Sequence, residues 1–183
     1  MLTGGQSAGR GLVILSDIPA ESLLLAAQPL FDLSTIDLTE VAVPPDVVGG
    51  INPQSGPMRQ LDHLIWLNDD STVGLGVKSV RDDEFWVAGH IPGRPLMPGV
   101  LMIEAAAQMS SILHTFAHSI GQTEFLGFTR CNDVVFRGQV VPGDTLYLLA
   151  RQISFRRRQF VSSTQAMVDN RLVFEATITG MIL

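Results

Sequence analysis

The chain is poor in cysteine and in charge, and it has no long uninterrupted apolar run. A single cysteine, Cys131, leaves no partner for an internal disulfide, which excludes a disulfide-stabilised domain and suits a reducing compartment. Charged residues make up 16% of the chain and the net charge is -6, which argues against general binding to nucleic acid or acidic membranes. The N-terminal apolar run is too short for a signal peptide, and the apolar segment after Pro98 contains Glu104 and two histidines. We therefore expect a soluble, cytoplasmic protein that does not insert into membranes.

The charges that are present lie unevenly along the chain. Residues 1–77 hold two basic and nine acidic side chains, whereas residues 78–183 hold ten basic and nine acidic ones. The second part is thus suited to an acidic partner. With 183 residues, of which 46% are hydrophobic, the chain can build one compact domain with a full core.

Proline and turn residues separate an N-terminal extension from the rest. Residues 1–57 hold six of the ten prolines, with turn-rich breaks at VPPD and GGINPQSGP. From about residue 58 the pattern changes to short runs of β-branched and aromatic residues. We predict an extension over residues 1–57, packed on or trailing from a domain over residues 58–183.

The domain shows the pattern of strands, one long helix and further strands. Three strands are predicted by LDHLIWLN, STVGLGVKSV and EFWVAGH, followed by a helix from about Pro98 to Ile120 with Gly121 as its left-handed cap. Five more strand segments follow: EFLGFT, DVVFRGQVV, TLYLLARQISF, QFVSSTQAMV and RLVFEATITGMI. Asp169 and Asn170 fall at a hairpin turn. This order predicts an α+β domain in which a curved antiparallel sheet wraps around one long central helix.

The predicted helix carries one polar stripe on a surface that is otherwise apolar. The stripe consists of Glu104, Gln108, Ser111, Thr115 and His118. The stripe either faces solvent or is buried in a site, and Glu104 is the only formally charged residue of the helix. A carboxylic acid in a sequestered position can hold a proton near neutral pH and donate it.

His90 is the natural counterpart of this carboxylic acid. It precedes a loop with Pro92, Pro95 and Pro98, whose fixed dihedral angles make the loop stiff and give the imidazole a reproducible position. A lone histidine beside apolar residues can also be a purely structural residue. The stiff loop favours a functional role.

The start of the helix supplies a third chemical element. The backbone N–H groups around Gly99 have no helical partner, and the helix dipole adds partial positive charge there. A carbonyl oxygen at this point would be polarised and its developing negative charge stabilised. A base, an acid and an electrophilic site are what the elimination of water from a β-hydroxyacyl thioester requires.

The segment GHIPGRPLMPGVLMIEAAAQ, residues 89–108, resembles the motif of the β-hydroxyacyl-acyl-carrier-protein dehydratases, a hotdog-fold family of fatty acid synthesis. The interval of 14 positions from His90 to Glu104 is the one that the family has. VVFRGQVVPGDTL and VKSV also fit, so the resemblance covers roughly residues 59–183. The departures are Ile91, where the family usually has an aromatic residue, and the unmatched first 57 residues.

The resemblance implies a function and a set of site residues. His90 matches the catalytic histidine, Glu104 the catalytic carboxylate and Gly99 the amide that polarises the thioester carbonyl. The expected reaction converts (3R)-3-hydroxyacyl thioesters on acyl carrier protein to trans-2-enoyl thioesters. No metal or organic cofactor is expected, because the substrate is carried on phosphopantetheine. The expected partner is an acyl carrier protein or coenzyme A thioester. The family also implies a homodimer or higher homo-oligomer in which each site takes its histidine and its glutamate from different subunits.

Further residues are predicted around this centre. An acyl tunnel is predicted along Ile91, Val100, Leu101, Ile103 and Gln108, although at helical spacing the apolar ones are also compatible with plain core. A docking surface for an acidic carrier protein is predicted at Arg130, Arg137, Arg156, Arg157 and Arg158, which could instead be ordinary solvated positions. His114 and His118 have the spacing of a metal pair, but no third ligand is evident and no metal site is predicted.

Two other functions remain open from the sequence. A hotdog thioesterase would use Glu104 to activate water against the same thioester. A non-catalytic acyl-binding subunit would keep the fold without the reaction. The presence of His90 with its proline-glycine loop favours elimination over hydrolysis, and the intact pair of His90 and Glu104 argues against a non-catalytic subunit.

Overall fold

The computed structural model describes residues 28–119, 124, 126–156 and 158–183. Its elements are the helices α1 (Pro45–Ile51) and α2 (Gly99–His118) and the strands β1 (His63–Leu67), β2 (Val73–Ser79), β3 (Leu126–Phe136), β4 (Thr145–Arg156), β5 (Gln159–Val168) and β6 (Arg171–Ile182). The six strands form one antiparallel sheet in the order β1-β2-β4-β5-β6-β3. This confirms the predicted hotdog fold, with one long helix packed against the sheet.

Helix α2 forms the centre of the core. Its buried residues include Leu101, Met109, Ile112 and Leu113, which pack against the inner face of the sheet. It is also the one helix of the described residues with the length and apolar composition of a membrane span, and it lies within the fold as the core helix.

Two glycines in β2 allow α2 to approach the sheet closely. A Cβ atom added at Gly76 would lie 2.6 Å from Leu61 and 2.9 Å from the sulfur of Met109. At Gly74 it would lie 2.9 Å from Leu113. All three distances are shorter than real Cβ contacts, so a side chain at either glycine would force these neighbouring side chains, two of them on α2, to move.

The described part of the predicted extension packs on the domain. Val43 forms an isolated bridge with Leu64 of β1, and Val48 of α1 is completely buried in the main core. Upstream, Leu30 and Phe31 join a second apolar cluster on β1, β2 and β4, where the Phe31 ring lies 5.6 Å from that of Trp66. The backbone of Leu30 is held by two side chains, because its N–H donates to Oε1 of Gln165 and its carbonyl accepts from the Arg151 guanidinium. The boundary at residue 57 stays a prediction.

Three details of the predicted secondary structure are wrong. EFWVAGH is a series of turns, because the Trp86 carbonyl accepts hydrogen bonds from the N–H groups of Gly89 and His90 at 3.0 and 2.8 Å. EFLGFT and DVVFRGQVV do not form separate strands, since β3 runs continuously from Leu126–Phe136. The cap of α2 is Ser119 with φ of 50°, whereas the predicted cap, Gly121, lies outside the described residues.

The predicted hairpin is confirmed. Asp169 and Asn170 join β5 to β6, and both have positive φ, at 48° and 59°. Asparagine and aspartate tolerate this left-handed conformation better than most residues.

Candidate active site

The segment between β2 and α2 is anchored by a buried ion pair. The Lys78 ammonium lies 2.6 Å from Glu84, and both side chains are almost fully buried. Asp62 lies 3.9 Å from the same ammonium and accepts a hydrogen bond from the N–H of Ser79. The pair therefore ties the end of β2 to the turns that lead to His90.

The loop after His90 is closed by backbone hydrogen bonds. The N–H of Leu96 donates to the His90 carbonyl at 2.9 Å, and Ile91 and Arg94 exchange a pair of hydrogen bonds inside it. Gly93 supplies the positive φ, 76°, that the tight turn requires. Met97 then donates to the Val140 carbonyl at 2.8 Å, which attaches the loop to the chain after β3.

This loop fixes the tautomer of His90. Nδ1 lies 2.8 Å from the Leu96 carbonyl oxygen. A carbonyl only accepts hydrogen bonds, so Nδ1 carries a proton, and in the neutral imidazole the lone pair is therefore on Nε2. The side chain is exposed, so Nε2 is available as a base.

Gly99 begins α2 and packs against Phe136 of β3. A Cβ atom at Gly99 would lie 2.7 Å from two ring carbons of Phe136. The lack of a side chain thus leaves room for the ring, and the N–H groups of Gly99 and Val100 remain without intrahelical partners, whereas that of Leu101 donates to the Pro98 carbonyl. Val100 beside it is 69% exposed, so the N-terminal end of the helix is open on this side.

Glu104 lies one turn further along α2 and is held by amide groups. Its Oε1 accepts a hydrogen bond from Nε2 of Gln54 at 2.9 Å and another from Nε2 of Gln108 at 2.8 Å. Glu104 and Gln54 are half-buried and Gln108 is buried, and no other hydrogen bond of the described residues reaches the carboxyl group.

A cavity of about 220 Å³ lies beside this carboxyl group. Its lining residues are Pro53, Gln54, Glu104, Ala107, Gln108, Ser111, Leu126, Phe128, Phe160 and Ile178. The cavity has one polar side, formed by the stripe of α2, and one apolar side, formed by the sheet. His90 does not line it, so within a single chain the imidazole and the carboxyl group do not share this cavity.

The polar stripe of α2 is partly buried instead of facing bulk solvent. Glu104 and Ser111 are half-buried and Gln108 is 1% exposed, and all three line the cavity. Of the predicted tunnel residues, Gln108 alone lines it. Leu101 lies in the hydrophobic core, and the partly buried Ile103 packs against that core. Ile91 and Val100 are exposed in the single chain.

The two histidines of α2 belong to an aromatic cluster at the other end of the helix. The buried His114 ring stacks on Phe160 with centroids 4.6 Å apart, and its Nδ1 lies 3.1 Å from Oε1 of Gln152. The His118 ring is tilted by 34° against that of Phe155, with centroids 4.3 Å apart. Burial lowers the pKa of His114, and the Gln152 hydrogen bond partly opposes this shift. No group of three or more metal-ligating side chains occurs among the described residues.

The arginines predicted for docking do not form one cluster. Arg156 and Arg158 are exposed at the turn between β4 and β5, where Arg158 donates to the Ile182 carbonyl. Arg130 is exposed midway along β3. Arg137 lies beyond the opposite end of β3 and forms an ion pair with Glu175, and Arg157 lies outside the described residues.

Sequence reasoning missed the residues that complete this site. Gln54 comes from the extension, and Phe160 and Ile178 come from β5 and β6. Gln54 lies in a turn-rich segment without periodicity and meets Glu104 across 50 positions, so no local pattern indicates the contact. The side chains of these strands alternate between the two faces of the sheet, as in any sheet, and only the packing shows which of them face the cavity.

Comparison with known proteins identifies relatives along most of the chain. The FabA-like domain family matches residues 52–177. A 3-hydroxyacyl-[acyl-carrier-protein] dehydratase FabZ of Rickettsia bellii is 34% identical over 152 residues, which cover 81% of this chain and 97% of that protein. The corresponding enzyme of Syntrophobacter fumaroxidans is 36% identical, over 73% of this chain and 89% of that protein.

Solved structures share the fold at low identity. The dehydratase heterocomplex ApeI:P of Xenorhabdus doucetiae aligns with a TM-score of 0.63 and 14% identity, over 74% of this chain and 90% of that one. A thioesterase mutant of Pseudomonas aeruginosa aligns with a TM-score of 0.59 and 14% identity, over 80% and 99%. At this identity the likeness concerns the fold alone.

Proposed function

The chain belongs to the FabA-like family, and on that premise we propose that it dehydrates (3R)-3-hydroxyacyl thioesters of acyl carrier protein to trans-2-enoyl thioesters. It is a hydro-lyase of fatty acid or related lipid synthesis. The single observation on which the proposal rests is that the chain holds a base and an acid, each oriented by hydrogen bonds. The neutral His90 ring has its proton on Nδ1 and its basic lone pair on Nε2, and Glu104 presents a carboxyl group at the edge of a cavity.

In the proposed reaction both groups act on one substrate. Nε2 of His90 takes the α-proton, and the electrons of the broken C–H bond form the double bond between the α- and β-carbons. The N–H of Gly99 stabilises the negative charge on the thioester oxygen. The bond between the β-carbon and oxygen breaks, and Glu104 gives its proton to the leaving hydroxyl, which departs as water. A proton returns from the imidazolium to the carboxylate before the next turnover.

We propose that the active site forms between two copies of the chain. Support comes from the separation of His90 from the Glu104 cavity within one chain. β3 pairs with β6 on one side only, and it bears the half-exposed rings of Phe128 and Phe136. An open strand edge with exposed aromatic residues is suited to pairing with a second chain.

Mixing two inactive variants tests this arrangement. His90→Asn and Glu104→Gln should each lack activity as homodimers. After unfolding and refolding together, random pairing should restore about a quarter of wild-type activity, because half of the dimers then hold one intact site of two. The two variants refolded separately and then assayed together are the control. Failure of the co-refolded sample to regain activity, with dimers present, would contradict the shared site.

One assay separates dehydration from the other functions of this fold. The chain is incubated with a 3-hydroxyacyl thioester of acyl carrier protein, and the products are resolved by mass spectrometry. Enoyl thioester supports the proposal, free thiol indicates a thioesterase, and unchanged substrate indicates a binding subunit. The same assay with the coenzyme A thioester shows which carrier the chain accepts.

We propose a cytoplasmic enzyme that needs no metal or organic cofactor, since an imidazole and a carboxyl group suffice for both proton transfers.

The carrier protein is proposed to dock on Arg130, Arg156 and Arg158. Charge reversal at these positions should raise KM for the carrier-bound substrate at low salt. Affinity that does not depend on ionic strength would contradict this surface.

A further inference from the structure

The amide groups around Glu104 do not have equal freedom. Nε2 of Gln108 donates to the Met58 carbonyl at 2.7 Å as well as to Glu104. Its Oε1 accepts from the N–H of Gln60 at 2.9 Å. If the Gln108 amide flipped, all three of these hydrogen bonds would be lost, so it is locked as a donor to Glu104.

Gln54 is held differently. Its Nε2 donates to Glu104, but its own Oε1 is buried and has no hydrogen-bond partner among the described residues. The contact with Glu104 is therefore the hydrogen bond that sets the orientation of this amide. Gln54 is also the contribution of the N-terminal extension to the cavity wall, together with Pro53.

Both amides donate to the same oxygen of Glu104. An oxygen that already accepts two N–H groups has both lone pairs in use and is a poor position for a proton, whereas Oε2 has no competing donor among the described residues. The acid proton is thus directed to Oε2. The two donors also hold the carboxyl plane, so the proton points in one direction from α2.

We propose that Gln54 is a positioning residue for Glu104, which fixes the carboxyl plane and confines the acid proton to Oε2. This inference rests on the proposed function, in which Glu104 protonates the leaving hydroxyl. It assigns a catalytic consequence to the extension, which holds the acid from outside the helix that bears it.

The first test replaces the donor and preserves the volume. Gln54→Met has a similar length and no N–H group. We expect kcat to fall by about tenfold or more with KM little changed, because a misaligned acid slows the chemical step without weakening substrate binding. Gln159→Met is the matched control, since Gln159 is an exposed residue of β5 whose side chain takes part in no hydrogen bond of the described residues. A kcat for Gln54→Met equal to that of the control would overturn the proposal.

The second test distinguishes positioning from a structural role. In Gln54→Glu the new carboxyl group can donate an O–H to Glu104 when protonated, but it only repels Glu104 when ionised. Its activity relative to wild type should rise as the pH is lowered, whereas that of Gln54→Met should stay at a constant fraction. Parallel profiles for the two variants would count against the proposal. Wild-type protein without any dehydratase activity would instead refute the proposed function itself.

Discussion

The two halves of the proposed site are built in different ways. His90 lies on an exposed loop whose shape is set by main-chain hydrogen bonds, three prolines and a distant buried ion pair. Glu104 lies on the central helix and is oriented by side-chain amides from two separate segments. The base is thus placed by backbone geometry and the acid by side-chain hydrogen bonds.

This difference indicates what each half tolerates. A loop fixed by its backbone accepts many side-chain changes but few changes of main-chain conformation. A carboxyl group held by amides depends on those particular side chains, while the backbone of the helix around it is rigid.

The largest expected effect is the removal of either reacting group. His90→Asn and Glu104→Gln should each lower kcat by about 10²- to 10⁴-fold, because an amide cannot take or give the proton. Circular dichroism and thermal unfolding should match wild type, since both substitutions conserve shape. If one of the two variants keeps substantial activity, that residue does not act in proton transfer. The assignment of one half of the site to the base and the other to the acid would then be wrong.

The buried ion pair should be the most important stabilising contact of the His90 half. Glu84→Gln leaves the ammonium of Lys78 without its close partner, which costs about 3–5 kcal/mol of the free energy of unfolding. Urea unfolding measures this loss. The exposed pair of Arg81 and Asp83 is the control, because Asp83→Asn removes a solvent-screened contact and should leave stability nearly unchanged. Equal effects of the two variants would show that the buried pair does not anchor the segment.

Gln108→Leu tests the Glu104 half in the same way. It removes a donor to Glu104 and leaves the buried N–H of Gln60 without its acceptor, which costs about 1–3 kcal/mol of unfolding free energy. The decrease in kcat should exceed what the loss of stability alone would cause, because Glu104 loses an amide donor whose orientation is fixed. Urea unfolding and kcat measured on the same preparation check both parts. Full activity at reduced stability would show that Gln108 is structural only.

A pair of glycines tests the dependence of the His90 half on its backbone. Gly93 has φ of 76°, whereas Gly89 has no positive φ, and an added Cβ would meet no neighbour at either position. Gly93→Ala should cost about 1 kcal/mol and lower kcat, because alanine disfavours the left-handed region. Gly89→Ala should leave both quantities near wild type. Identical kcat values for the two variants would contradict placement of the base by the loop backbone.

The smallest effect concerns pH and the far end of α2. Burial lowers the pKa of His114 from its ordinary value of 6.5, so the unfolded chain binds a proton more readily than the folded one. The contribution of His114 to stability is therefore complete above that value and is lost as the pH falls below it. The decrease in unfolding free energy between pH 7.5 and 5.5 should be smaller in His114→Phe than in wild type. An unchanged decrease would show that His114 does not titrate in this range.

The sequence alone predicted much of the fold and the reacting pair, because both depend on local patterns. The apolar helix with its proline at the start, the strand segments and the Asp169–Asn170 hairpin follow from propensities of neighbouring residues. The motif from His90 to Glu104 lies within one continuous segment, and its resemblance to a known family supplied the chemistry. The turns at EFWVAGH escaped prediction because their aromatic residues favour strands, while burial of Trp86 selected turns.

Tertiary structure decided which residues surround the acid. Gln54 contacts Glu104 across 50 positions, and Phe160 and Ile178 reach the cavity from β5 and β6, which follow α2 much later in the sequence. Such contacts have no periodicity that a sequence can display, since they result from the way the sheet wraps around α2. The sequence by itself indicated the proposed reacting groups, His90 and Glu104, and the elements on which they lie. The packed fold determined the orientation of the acid, because hydrogen-bond direction depends on distances between distant segments.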